Sequence, residues 1–193
     1  MDKEPVHPRF CAGSGNVHRG IICNKKEDAM TKAADLPYRP CVGIMLINRD
    51  GLIWVGNRIQ EVETGSALTW QMPQGGIDKG EEPEEAAFRE MKEEIGTDKG
   101  RIIAETKDWL TYDLPPHLIG LALKGKYRGQ KQKWFAMRFT GKDSDIDIAA
   151  DKHQEFSEWT WVPLKELVEL IVPFKRGVYE QIVTELGPLA QPE

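Results

Sequence analysis

The chain of 193 residues lacks any long hydrophobic run. No apolar stretch approaches the roughly 20 residues that a membrane-spanning helix requires, so the sequence predicts no association with a membrane. Its first residues, MDKEPVHPRFCAGSG, also lack the apolar stretch of a secretory signal. The length suits one domain with a proper buried core.

Cysteine is scarce and shows no paired pattern. Cys11, Cys23 and Cys41 have neither C-x-x-C nor any other paired spacing, and their odd number disfavours a disulfide framework. We therefore expect free thiols and a reducing, cytoplasmic location.

Negative charge is absent from one long segment, although the net charge of the whole chain is −5. No acidic residue lies between Asp113 and Asp143, and this segment contains Lys124, Lys126, Arg128, Lys131, Lys133, Arg138 and Lys142. Such a basic segment indicates either a binding surface for a polyanion or a solvated strand edge protected by lysines. The charge pattern alone leaves both interpretations open.

Composition and hydrophobic periodicity divide the sequence into a leader, a domain and a short tail. Residues 1–35 have no apolar period, which predicts a disordered leader, and Met30 would serve as a start as well as Met1 does. We expect one domain over 36–187 and a C-terminal tail over 188–193.

Alternating and apolar runs predict the elements of that domain. The segment CVGIMLI-NRDG-LIWVG, which starts at Cys41, is typical of a β-hairpin, and an exposed loop is expected over 60–69. Further strands are predicted over 101–106, 108–113, 118–123, 132–139 and 158–162, and two helices over 163–172 and 174–187.

An acidic helix is predicted between two glycines. Pro83 suits a first turn, acidic residues follow it, and Gly96 supplies a stop, so we expect a helix over 83–95. Its apolar face is predicted to contain Ala87, Phe88, Met91 and Ile95. Its carboxylates Glu90, Glu93 and Glu94 fall within one arc of about 100° on another side. Because like charges at this spacing repel, we expect a bound cation such as Mg²⁺ to offset them, the alternative being a solvated face.

The acidic helix belongs to a longer motif. It has the form G-x5-E-x7-R-E-U-x-E-E-x-G, with U an apolar residue, and is formed by Gly75, Glu81, Arg89, Glu90, Met91, Glu93, Glu94 and Gly96. This pattern resembles the signature of the Nudix hydrolases, which cleave nucleoside diphosphates linked to another group. Thr97 departs from the aliphatic residue usual in the family, and a β-branched threonine can fill that packing position. The resemblance implies an α/β (α+β) fold, with a mixed β-sheet sandwiched between α-helices.

Several further segments extend the resemblance over residues 38–186. YRPCVGIMLINRDG, WQMPQGGID, WLTYDLP, GQKQKWF, EFSEWTWV and FKRGVY are similar to the branch of bacterial RNA pyrophosphohydrolases and dinucleoside polyphosphate hydrolases. The implied activity is metal-dependent removal of pyrophosphate from triphosphorylated 5′ ends of RNA, which starts RNA decay. Hydrolysis of diadenosine polyphosphates is the alternative within the fold. A nucleotide- or RNA-binding module without catalysis is the alternative of another class.

The resemblance also implies roles for the motif residues. Oxygen ligands for Mg²⁺, or for Mn²⁺ or another divalent metal, would come from the Gly75 carbonyl and from the carboxylates of Glu90, Glu93, Glu94 and Glu155. Glu155 and Glu90 are both candidates for the general base. Structural roles are implied for Gly76, Glu81, Arg89 and Gly96, with Arg89 orienting Glu85 or Glu93.

Substrate contacts are implied on the first hairpin and in the basic segment. The residues concerned are Arg39, Arg58, Gln74, Tyr112, Gln130, Lys131, Gln132 and Lys133. Arginine and lysine suit a polyphosphate as a fork and a point charge respectively. Tyr112 can stack on a base or sugar, although a tyrosine between apolar strand residues is also typical of a core.

Overall fold

The computed structural model describes residues 35–59 and 69–193. The expected leader, apart from Asp35, and the expected loop over 60–69, apart from Thr69, lie outside these residues and stay predictions. No helix in the described ranges is long and apolar enough to cross a bilayer. The strands are β1 (Tyr38–Ile47), β2 (Ile53–Arg58), β3 (Trp70–Gln71), β4 (Gln74–Gly76), β5 (Gly100–Glu105), β6 (Leu110–Asp113), β7 (Gly129–Phe139) and β8 (Phe156–Val162), and the α-helices are α1 (Pro83–Glu90), α2 (Leu167–Leu170) and α3 (Arg176–Glu185).

The eight strands form one mixed sheet in which β1 is central. β1 pairs in parallel with β7 along its whole length, from Tyr38 opposite Gly129 to Ile47 opposite Arg138. It pairs antiparallel with β2 across a tight turn, and antiparallel with the short β4. In that turn the Asn48 side chain accepts hydrogen bonds from the backbone after it. The predicted hairpin and the mixed sheet are confirmed.

Apolar side chains fill both faces of the sheet, because successive residues of a strand point to opposite sides. On one face, Ile44 and Phe135 belong to a buried cluster with Met91 of the acidic helix. On the other face, Trp134 packs edge-to-face on Tyr179 of α3. Helices therefore cover both faces of the sheet.

The strand predicted over 118–123 is wrong. This segment forms turns that lead into a 3-10 helix at Leu123–Gly125. Leu123 and Lys124 have φ values of 52° and 56°, which a β-strand does not allow. Leu121 is 66% exposed, so the apolar run does not form a buried strand either.

The C-terminal residues contact the turn that follows β1 and strand β7. After a 3-10 turn at Gly187–Leu189, the Glu193 amide donates to the Arg49 carbonyl at 2.9 Å. The Glu193 carboxylate pairs with Arg138 of β7 at 3.1 Å.

Cys41 is a buried free thiol in β1, and burial raises its pKa to about 11. Cys11 and Cys23 lie outside the described residues.

Candidate metal and phosphate site

The acidic helix begins as predicted but does not stay α-helical. Pro83 opens α1, the Glu82 amide donates to the Glu85 carboxylate at 3.3 Å, and the chain continues beyond Glu90 as a π-helix over Met91–Ile95. A π-turn holds more residues than an α-turn and is frequent at functional sites. Gly96 then ends the helix with a left-handed φ of 75°.

The three motif carboxylates lie at different depths on this helix. Glu90 is 7% exposed and Glu94 is 3% exposed, whereas the side chain of Glu93 is 48% exposed. All three line one cavity of about 380 Å³, which we call the carboxylate cavity. The predicted convergence of the three residues on one patch therefore agrees with the geometry, although only two of them are buried.

Gly75 provides the space in which the Glu90 carboxylate lies. Its position on β4 faces the acidic helix, and a Cβ atom there would overlap the Glu90 carboxyl carbon. Any residue other than glycine would thus displace Glu90 or the strand. Burial raises the pKa of Glu90, while its hydrogen bond from Arg89 opposes that rise.

Glu94 is the most deeply buried carboxylate of the cavity. One oxygen, Oε2, accepts a hydrogen bond from the Gln74 amide at 2.9 Å. The other, Oε1, is buried and has no hydrogen-bond partner within the described ranges. Burial raises the pKa of Glu94 well above its usual range, and the neighbouring charges of Glu155 and Glu90 raise it further.

Arg89 connects several residues of the motif through hydrogen bonds. Its guanidinium donates to Glu81 at 2.7 and 2.9 Å, to the Gly76 carbonyl at 2.7 Å, to Glu90 at 2.8 Å and to Glu93 at 3.0 Å. These bonds from Arg89 also lower the pKa of Glu81. Of the two partners expected for Arg89, Glu93 is the one that it contacts.

Glu155 reaches the same cavity from the loop before β8. Its carbonyl accepts a hydrogen bond from the Ile59 amide at 2.8 Å, which fixes the loop to the end of β2. Its carboxylate pairs with Arg58 at 3.1 Å. The loop also brings Asp151, Lys152 and His153 to the cavity. Sequence reasoning missed these three, although their position just before Glu155 was an available signal.

The predicted glutamines form a buried network beside the cavity. The Gln132 amide donates to Gln74 at 3.1 Å and to Gln130 at 2.9 Å, and the Tyr112 hydroxyl donates to Gln130 at 2.8 Å. Trp134 donates in turn to Gln132 at 3.0 Å. Tyr112 is only 8% exposed, which favours the core interpretation of this residue over stacking on a substrate.

The structure does not bring Lys131 and Lys133 together with those glutamines. Strand side chains alternate, so these two lysines point to the face opposite Gln130 and Gln132. Lys131 lies 5.1 Å from the centre of the Trp109 ring, and Lys133 pairs with Glu105 at 3.1 Å. Their expected role at the substrate therefore stays a prediction without support from the geometry.

Three positively charged residues, Arg39, Arg58 and Lys175, lie near the motif residues and the carboxylate cavity. The Arg39 guanidinium lies against Gly76, where a Cβ atom would strike it. Lys175, which sequence reasoning missed, is 7% exposed and donates to Gln71 at 3.1 Å. Burial, reinforced by the charge of Arg58, lowers the pKa of Lys175 to about 7. The position of Lys175 in the FKRGVY segment is the sequence feature that could have indicated this residue.

The carboxylate oxygens of the cavity are ligands that suit a hard divalent cation, but they are not arranged as a complete metal site. Within residues 35–59 and 69–193, no group of three or more His, Cys, Asp or Glu side chains has the arrangement of a metal site. The buried Oε1 of Glu94 nevertheless has no hydrogen-bond donor among the described residues, which leaves this oxygen available as a metal ligand. Oxygen ligands of this kind suit Mg²⁺.

The motif geometry agrees with a match to a known family. A model of the NUDIX domain matches residues 37–182. The chain is a Nudix hydrolase. It is 53% identical over 173 residues to a protein of Mesorhizobium japonicum named RNA pyrophosphohydrolase, with 86% of this chain and 98% of that protein covered. A protein of the same name from Brucella ovis is 54% identical over 169 residues, with 84% and 94% covered.

Solved structures show the same Nudix fold. The E. coli dihydroneopterin triphosphate pyrophosphohydrolase matches with a TM-score of 0.58 at 19% identity, over 77% of this chain and 98% of that one. A likeness at this identity shows the fold alone. The family and the fold class predicted from the motif are both confirmed.

Proposed function

We propose that this Nudix hydrolase removes pyrophosphate from the triphosphorylated 5′ ends of RNA, in a reaction that requires a divalent metal ion. Water adds across the anhydride bond between the α and β phosphates, so the products are 5′-monophosphorylated RNA and pyrophosphate. The observation that carries this proposal is the 53% and 54% identity to relatives named RNA pyrophosphohydrolase over most of the chain. We propose that the reaction takes place in the cytoplasm, a reducing setting that suits the free thiol of Cys41.

Metal ligands are proposed on both sides of the carboxylate cavity. Glu90, Glu93 and Glu94 come from the acidic helix, Glu155 comes from the loop before β8, and the Gly75 carbonyl comes from β4. Support comes from the cavity that the four carboxylates share, from the position of Gly75 against the Glu90 carboxyl group, and from the buried oxygen of Glu94 that has no partner among the described residues. Mg²⁺ is the expected ion, and Mn²⁺ has the same preference for oxygen.

The protein and its ion divide the chemistry of hydrolysis between them. A bound divalent ion supplies an activated water, neutralises charge at the attacked phosphorus and stabilises the leaving phosphate. The protein holds the carboxylates through Arg89, and either Glu90 or Glu155 accepts the proton of the water. Burial raises the pKa of Glu90, and this brings that pKa closer to the value that suits a general base near neutral pH.

Arg39 and Arg58 are proposed to bind the polyphosphate of the substrate. Each lies beside a proposed metal ligand, since Arg39 packs on Gly76, the neighbour of Gly75, and Arg58 pairs with Glu155. A guanidinium presents a planar fork of donors that matches phosphate oxygens. We propose that the network of Gln74, Gln130 and Gln132 shapes the floor next to these arginines.

A comparison of two substrates tests the proposed function. Purified protein is given triphosphorylated RNA and diadenosine tetraphosphate side by side, with Mg²⁺ and with EDTA. We expect kcat/KM to be higher for the RNA and both activities to be lost in EDTA. A higher kcat/KM for the dinucleotide would move the assignment to dinucleoside polyphosphates. Binding of RNA without any product would point to a module without catalysis.

A further inference from the structure

The loop that ends at Glu155 is fixed at both ends next to the proposed metal ligands. At its start, the Asp147 amide donates to the Ile95 carbonyl at 3.0 Å, and the Asp147 carbonyl occupies the space left by Gly96. At its end, the Glu155 carbonyl accepts from the Ile59 amide at 2.8 Å. The residues between these anchors must therefore pass beside the C-terminal end of the acidic helix.

Short local hydrogen bonds give this loop a defined course. The Asp147 carboxylate accepts from the Ala149 amide at 3.0 Å, and the Asp151 carboxylate accepts from the His153 amide at 2.7 Å. The Gln154 side chain donates to the Phe156 carbonyl at 2.6 Å. Because the backbone is held on both sides of Lys152, this residue is kept at the carboxylate cavity, which it lines together with His153.

Lys152 differs in charge from nearly everything else that lines this cavity. The other lining residues are His153 and the five carboxylates of Glu90, Glu93, Glu94, Asp151 and Glu155. Lys152 is exposed, and within the described ranges it forms no ion pair. An unpaired ammonium at the edge of a carboxylate cavity weakens metal binding by repulsion, so a metal-binding role does not account for it.

We propose that Lys152 binds the terminal phosphates of the substrate at the mouth of the carboxylate cavity, with His153 as a second hydrogen-bond donor. This inference rests on the proposed function. Bound metal ions would largely neutralise the carboxylates, whereas a 5′ triphosphate brings further negative charge that must be balanced. Water forms a bond to the α phosphorus, the bond between this phosphorus and the bridging oxygen breaks, and the departing pyrophosphate keeps that oxygen together with the electron pair of the broken bond. An ammonium group with three donors stabilises that growing charge.

Substitutions at Lys152 and at one matched surface lysine test this contact. Lys152→Ala and Lys152→Gln remove the charge, Lys152→Arg keeps it, and Lys165→Ala removes an exposed lysine that does not line the cavity. For Lys152→Ala and Lys152→Gln we expect kcat/KM on triphosphorylated RNA to fall about three- to tenfold. Product inhibition by pyrophosphate with Mg²⁺ should weaken by a similar factor. Lys152→Arg and Lys165→Ala should behave like the wild type.

Mn²⁺ binding, measured by electron paramagnetic resonance, separates a phosphate contact from a role in the metal site. Removal of the Lys152 charge should leave the Mn²⁺ affinity unchanged or raise it. Unchanged kcat/KM and unchanged pyrophosphate inhibition would overturn the proposal, as would an equal loss of Mn²⁺ affinity. If the wild type fails to act on triphosphorylated RNA, the proposed function falls, while pyrophosphate binding by the variants still tests the Lys152 contact.

Discussion

At the scale of single residues, Glu94 connects the packing of the acidic helix to its chemistry. One of its oxygens holds the Gln74 amide, and the other is buried without a partner among the described residues. A carboxylate is costly to bury in this way unless a cation compensates it. The neighbouring Gly75 and Arg89 add positions that tolerate little change, because one makes room for Glu90 and the other bonds it.

Glu94→Gln should abolish most activity and keep the fold. The amide has nearly the same shape and can still accept from the Gln74 amide, but it no longer offers a charged ligand. We expect turnover at saturating Mg²⁺ to drop by at least about two orders of magnitude. Glu84→Gln, an exposed residue of the first turn that does not line the cavity, is the control. More than a tenth of wild-type turnover in Glu94→Gln would refute the ligand assignment.

The same substitution should stabilise the protein when metal is removed. The pKa of Glu94 in the folded state lies above its unfolded value of about 4.3, so the folded state binds this proton more tightly. Its contribution to stability is full below that unfolded value and is lost as the pH rises towards the folded pKa.

Thermal melting in EDTA over a pH series measures this effect. Between about pH 4.5 and 7.5 the wild type should lose more stability than Glu94→Gln, which cannot ionise there. At the upper pH the variant should melt higher, and added Mg²⁺ should raise the melting temperature of the wild type more than that of the variant. Parallel pH curves for the two proteins would contradict the raised pKa of the buried Glu94 carboxylate.

At the scale of elements, the sequence predicted those segments whose local signals agree with their packing. Asn48 in the hairpin turn and Pro83 at the start of α1 are residue types that strongly favour a turn and a helix start, respectively. The 118–123 segment is mostly apolar, but Pro115 and Pro116 precede it and Gly120 interrupts it, and hydrophobicity alone does not take these strand breakers into account.

The site was predictable where one motif holds it, and less so where distant segments meet. The three motif glutamates follow from their spacing, but the π-turn that buries Glu94 and exposes Glu93 depends on tertiary packing. The opposite faces of Gln132 and Lys133 follow from strand alternation once β7 is assigned, although which face meets the substrate does not. Lys152 reaches the cavity only because its loop is fixed to the helix end, a contact that the sequence does not show.

Gly75→Ala tests how tightly β4 packs on the acidic helix. The added Cβ atom would overlap the Glu90 carboxyl group, so strand or helix must shift. We expect the melting temperature to fall by several degrees and kcat/KM to fall at least about tenfold, because small displacements of reacting groups are costly. Gly177→Ala in α3 is the control, since its Cβ atom meets nothing within 4 Å. That control should keep its activity and gain up to about 1 kcal/mol of stability. Equal behaviour of the two variants would contradict the packing described for Gly75.

At the scale of the whole molecule, charge is separated between a cavity rich in carboxylates and a segment without them. The acidic cavity suits metal ions, and the basic segment suits the phosphates of a long substrate. Lys124 and Lys126 lie exposed in the turn before β7, whereas Arg128 pairs with Asp113 at 2.9 Å. RNA has a chain of phosphates beyond its 5′ end, but diadenosine tetraphosphate has none.

Removal of the two exposed lysines should therefore affect the two substrates differently. For the double variant Lys124→Ala, Lys126→Ala we expect a several-fold larger loss of kcat/KM on triphosphorylated RNA than on the dinucleotide. Each lost phosphate contact should also flatten the salt dependence of RNA binding by about 0.7 units of log–log slope on a single strand. Binding at a series of salt concentrations measures that slope, with Lys165→Ala as the control. Equal losses on both substrates would show that the basic segment does not follow the RNA chain.

The proposed reaction releases pyrophosphate from RNA ends by metal-dependent hydrolysis. Its most direct test is the identity of the product from RNA with a 5′ triphosphate labelled in the γ phosphate. With Mg²⁺ we expect labelled pyrophosphate and 5′-monophosphorylated RNA, and in EDTA we expect no release of label. Labelled orthophosphate as the initial product, or release of label in EDTA, would contradict it.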